Sequence, residues 1–176
     1  SRKVLIRLHG SSAGYAKQSG EDHGSPGFTK YDTQTDQAVV DINLAHPVTT
    51  TPYDDIAPHE ITHAFLYLVF KKKIIPLWIN EGLAVLSESN KTATARMAQA
   101  KKEQTLTAEQ IMKSRQPNHN QSALLIKYLA EVVVPEGGYV KFINFVSRSL
   151  NVNYDKALQE FYHLDFKKLN KDLKKW

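Results

Sequence analysis

Hydrophobic residues follow two different rhythms along the chain. Before about residue 50 they fall in short runs of strand-like composition. "KVLIRL" (residues 3–8) reads as a strand, the Gly/Ser-rich stretch from His9 to Gly27 reads as loop, and "FTKYDTQTDQAVVDINLA" (28–45) reads as a hairpin turning at Asp32 to Asp36. In its second arm Val40 and Ile42 share one face, and Val39 and Asp41 the other. From Thr51 onward the period is near 3.6, so the rest should be helical. A helix capped by Asp54 or Asp55, with Pro58 in its first turn, is expected to run through Phe70. A second should start at Pro76 and carry "LWINEGLAVLSES", and a third, "TATARMAQAKKEQ", is polar enough for the surface. Thr107 and Gln110 form a capping box for "AEQIMKSR". "QSALLIKYLAEVVV" (121–134) stops at the breaker formed by residues 135–138, and "YVKFINFVSRSL" and "YDKALQEFY" follow before a basic tail. A small, mostly antiparallel N-terminal sheet (about residues 1–50) ahead of a larger helical part (about 51–176) is the α+β layout, here in a single domain.

Composition narrows the function classes. With 176 residues and 41% hydrophobic content the chain can build a sizeable core. Its longest apolar run, "AFLYLVF" (64–70), is far short of the roughly 18 to 20 residues that span a bilayer, so this fragment has no membrane span. Cysteine is absent, so a bound transition metal must be held by His, Asp or Glu. The net charge is +5, and five lysines crowd "FKKLNKDLKKW" (166–176). They surround Phe166, Leu169, Leu173 and Trp176 at helical spacing, which reads as the solvated face of a terminal helix rather than a nucleic-acid surface. The chain begins at Ser1 rather than Met, so an upstream segment is expected.

Candidate chemistry is concentrated in "PHEITHAF" (58–65). His59 and His63 are four residues apart, so on a helix they emerge on the same face and can share one ion. Imidazole suits zinc, and a catalytic zinc takes three protein ligands while keeping a fourth position for water. Glu60 points about 100° away around the helix, where it can act on that water as general base. This is the His-Glu-x-x-His arrangement. The third ligand should come from the next helix, where "WINEGLA" (78–84) offers Glu81. Gly82 beside it permits close backbone approach, and the loop "KKKIIP" (71–76) is long enough for the two helices to pack side by side. His9, His23, His46 and His163 lack such spacing and read as surface or loop residues; Tyr128 and Tyr139 read as core.

"HEITH" (59–63) followed by "NEG" (80–82) resembles the gluzincin branch of zinc metallopeptidases, specifically the small bacterial peptidase MA-like domains. "NQSALLIKYL" (120–129), "ALQEFYHLDFKKLNKDLKKW" (157–176) and the sheet-before-helix order extend the resemblance over most of the chain after about Asp36. It implies a zincin-like fold, one zinc ion on His59, His63 and Glu81, Glu60 as general base, and a peptide or protein substrate. It also implies an extracellular or cell-envelope location, with the cytoplasm left open, and a monomer is assumed. Substrate would add as an extended strand along the sheet edge, taken as Val39, Val40, Asp41, Ile42 and Asn43. By its own pattern Asp41 reads as a solvent-facing charge that discourages aggregation.

The chain departs from the family pattern twice. Relatives often carry Tyr three residues before the Ser of the "QS" pair; here His119 stands there and is the candidate oxyanion donor, although it also reads as a polar residue of the loop "QPNHNQ". Where many relatives place an acid four residues after Glu81, this chain has Val85. That leaves Glu88, Asp54 and Asp55 as candidates to orient a zinc histidine. The alternative to an enzyme is a non-catalytic peptide-binding module of the same fold.

Overall fold

"KVLIRLH", "GFTKYD" and "QAVVDIN" each become a strand: β1 (Lys3–His9), β2 (Gly27–Asp32) and β3 (Gln37–Asn43). The computed structural model describes residues 3–22, 24–32, 34–47, 52–70, 75–103, 105–116, 118–133 and 137–176. His23, the lysines at 71–73 in the expected interhelical loop, and the Pro-Glu half of the breaker at 135–136 lie outside them. The hairpin forms as its pattern predicts, with β2 antiparallel to β3. β1, however, pairs with β3 in parallel, so the three-stranded sheet is mixed rather than mostly antiparallel.

The strand order β1-β3-β2 overturns the expected substrate edge. β3 is the central strand. It is bonded to β1 on one side and to β2 on the other, so its backbone has no free row to offer another strand. Val39, Val40, Asp41, Ile42 and Asn43 are all buried. Asp41 is no solvent-facing charge either. It is 0% exposed, accepting hydrogen bonds from the Arg7 guanidinium at 2.7 and 2.6 Å and lying 2.7 Å from His9 Nε2.

The Gly/Ser stretch also departs from expectation, because it contains a helix, α1 (Ser12–Ser19). Its signal lies in the caps rather than in periodicity. The Ser11 side chain accepts from the Gly14 N–H, and Gly20 ends the helix with φ 82°, a conformation that glycine adopts without a steric penalty. After β3, a wide turn at Pro52–Ile56 leads into α2 (Ala57–Phe70). Asp54 and Asp55 sit inside that turn rather than capping the helix. Ala64 of α2 packs with Ile56 on the sheet face made by Ala38, Val40 and Ile42.

Two compact units result, residues 1–75 with 83–93, and 76–82 with 94–176. This division does not follow the compositional change near residue 50, since α2 belongs with the sheet. α3 (Leu77–Ser87) and α4 (Asn90–Lys102) each contribute to both units. The second unit adds α5 (Ala108–Lys113), with the expected capping box, then α6 (His119–Lys127), which runs into a wide turn at Tyr128–Val132. α7 (Gly138–Ser149), α8 (Tyr154–Tyr162) and α9 (Phe166–Leu173) complete it. Trp78, Phe142, Phe145, Leu125 and Leu158 are fully buried in its core. α9 buries Phe166, Leu169 and Leu173, so the lysines of the tail do take the outer face. A Cβ on Gly82 would lie 2.6 Å from Ile126 Cδ1 and 2.8 Å from the Ser122 carbonyl carbon, so only glycine lets α3 and α6 approach this closely. No described helix is long and apolar enough to cross a membrane. A small mixed sheet with a helical majority belongs to the α+β class.

Candidate metal centre

α2 delivers the histidines as its spacing predicts. One ligand-capable atom from each of His59, Glu60 and His63 lies within 4.8 Å of the others. The two imidazoles meet edge to face, with centroids 4.9 Å apart. A tetrahedral zinc with Zn–N near 2.0 to 2.1 Å holds its nitrogens about 3.4 Å apart, so side-chain adjustments on the order of an ångström suffice for the pair to share an ion. The donors are of the kind zinc prefers.

His59 Nδ1 lies 2.9 Å from Glu88 Oε1. A carboxylate can only accept, so Nδ1 carries the proton and Nε2 is left as the ligand atom. Of the acids the sequence offered for this orienting role, Glu88 therefore takes it. Val85 is fully buried, and the acid comes three residues later, just past the end of α3. Asp55 serves the same junction differently, accepting the backbone N–H of Ser89 at 3.1 Å and so anchoring the residue after Glu88.

Glu60 turns toward the sheet. Thr29 Oγ1 of β2 lies 2.7 Å from Glu60 Oε2 and 2.9 Å from the Glu60 carbonyl oxygen, and the hydroxyl donates its single proton between them. Two residues earlier, a Cβ on Gly27 would lie 2.8 Å from Glu60 Cγ and 2.9 Å from Ile56 Cγ2. Neither residue was singled out by the sequence. The available signal was a glycine at the start of a strand, which often marks a close approach by another group.

The other two expected site residues belong to the second unit. There Glu81 Oε2 lies 3.5 Å from His119 Nε2, an ion-pair distance rather than a short hydrogen bond. His119 opens α6 and is exposed, while Glu81 is mostly covered. Of the remaining histidines, His46 and His163 lie in connecting segments as expected, but His9 is buried against Asp41 and the ring of Tyr15.

The chain matches no protein-family model, no curated protein and no solved structure. The likeness to gluzincins therefore rests on the motifs themselves.

Proposed function

We propose that this chain is a zinc-dependent peptidase of gluzincin type, with His59, His63 and Glu81 as ligands and Glu60 as general base. The observation that carries the reading is the convergence of His59, Glu60 and His63 within 4.8 Å, together with the carboxylate that fixes the His59 tautomer. Glu81 enters on sequence spacing alone. When bound, zinc polarises a substrate carbonyl and lowers the pKa of a coordinated water to about 7. Glu60 takes the proton of the attacking water and returns it to the leaving amine nitrogen. His119 donates to the developing oxyanion. The substrate is an extended peptide, and the strand nearest Glu60 is β2, whose outer edge takes part in no pairing among the described residues.

Cleavage of an unbiased peptide library, with metal analysis of the same samples, tests this. The parent should cleave and should be stopped by phenanthroline. Glu60→Gln should keep its zinc and lose about 10²- to 10⁴-fold in rate. A Glu60→Gln protein that holds zinc and cleaves as fast as the parent refutes the assignment of the base.

A further inference from the structure

Glu60 faces a choice that the helix does not settle. Its carboxylate is close enough to both histidines to join them as a ligand. An acid bound that way would occupy the position that water needs and would no longer be available as a base. The offset of about 100° around the helix disfavours this without preventing it, because a glutamate side chain is long and flexible.

We infer that Thr29 and Gly27 are positioning residues that hold the Glu60 carboxylate on the sheet side of the cluster, as a base and not as a ligand. Both lie on β2, two residues apart and therefore on the same face of the strand. Thr29 supplies the tether, its hydroxyl 2.7 Å from Oε2. Gly27 supplies the room, since a methyl group there would meet the Glu60 side chain at 2.8 and 3.1 Å. The tether has a fixed base. Thr29 is buried and pairs with Val40, and Gly27 pairs with Ile42; both partners are core residues of the central strand. A hydroxyl placed this way can swing only over a small range, so it restrains the carboxylate as well as bonding it.

This inference rests on the metal reading above, and the test separates the two. Cobalt(II) replaces zinc, and its visible absorption reports coordination number independently of turnover. The parent should take up cobalt and give a spectrum that Thr29→Val changes, as the released carboxylate moves onto the ion. Thr29→Ser, which keeps the hydroxyl, should restore it. Glu60→Gln added to Thr29→Val should remove the change. In peptide cleavage Thr29→Val should lower kcat about 10-fold or more at unchanged KM, with recovery in Thr29→Ser. Gly27→Ala crowds the same side chain from the same strand face and should also alter the cobalt spectrum, which keeps the inference testable if Thr29→Val fails to fold. A parent that binds no cobalt overturns the metal reading and this inference with it. A parent that binds cobalt, with a spectrum unchanged in the folded Thr29 and Gly27 variants, overturns this inference alone.

Discussion

Among the described residues of the first unit, two histidine–carboxylate pairs have nearly the same separation. His9 lies 2.7 Å from Asp41, and His59 lies 2.9 Å from Glu88; both carboxylates are buried, at 0% and 8% exposure. They differ in what else is within reach. Asp41 is closed off by two bonds from Arg7, and the ring of Tyr15 stands edgewise against His9. That arrangement is complete in itself. His59 instead has a second imidazole and the Glu60 carboxylate beside it, so it belongs to a group of donor residues that lie close together. An imidazole on a carboxylate is thus not a candidate centre by itself; further donor groups close to the same ring make it one.

Breaking each pair should give opposite results. The largest effect is expected from His59→Ala, which should abolish retention of zinc through dialysis, read by metal analysis, because catalytic zinc needs its full set of ligands. His9→Ala should retain as much zinc as the parent. Next, Asp41→Ala should destabilise the fold by about 3 kcal/mol in urea titration, since it leaves Arg7 and His9 facing an empty site in the interior, and zinc affinity should not move. Glu88→Gln should do the reverse, weakening zinc binding about 10- to 100-fold with a smaller change in stability.

The smallest effect is a pH dependence that should belong to the first pair. Burial pushes the Asp41 carboxyl up, but its hydrogen bonds with Arg7 and His9 outweigh this and hold it below its ordinary value of 3.8. A carboxyl whose folded value is depressed contributes stability that is fully present above its unfolded value, near about 4. That stability is lost as pH falls through the lower folded value. Urea midpoints at neutral pH and near pH 3 should therefore converge between parent and Asp41→Asn as the medium becomes acidic.

Much of this layout could be read from the chain. The strands, the helices after residue 52, the capping box at Thr107 and the close approach at Gly82 all follow from local patterns that report directly on backbone geometry. The strand order could not be read. Val39 to Asn43 alternates like an edge strand, and only the parallel pairing with β1, a contact between residues more than thirty apart in sequence, makes it the centre. Asp41 misled for the same reason, because its partners Arg7 and His9 come from that other strand. At the candidate centre the closeness of the donors on α2 was legible because they share one helical turn. Glu88 was one of three candidates and needed the fold to single it out, whereas Thr29 and Gly27 reach Glu60 from β2, distant in sequence, and left only the position of a glycine as a clue.

The most direct test is the location of the ion itself. Crystals of the zinc-loaded protein, measured above and below the zinc absorption edge, should show a single anomalous peak about 2.1 Å from Nε2 of His59 and from a ring nitrogen of His63. Glu60 should lie outside bonding distance of that peak. A zinc-loaded crystal with no peak between these two rings, or with the ion held elsewhere, would contradict the account.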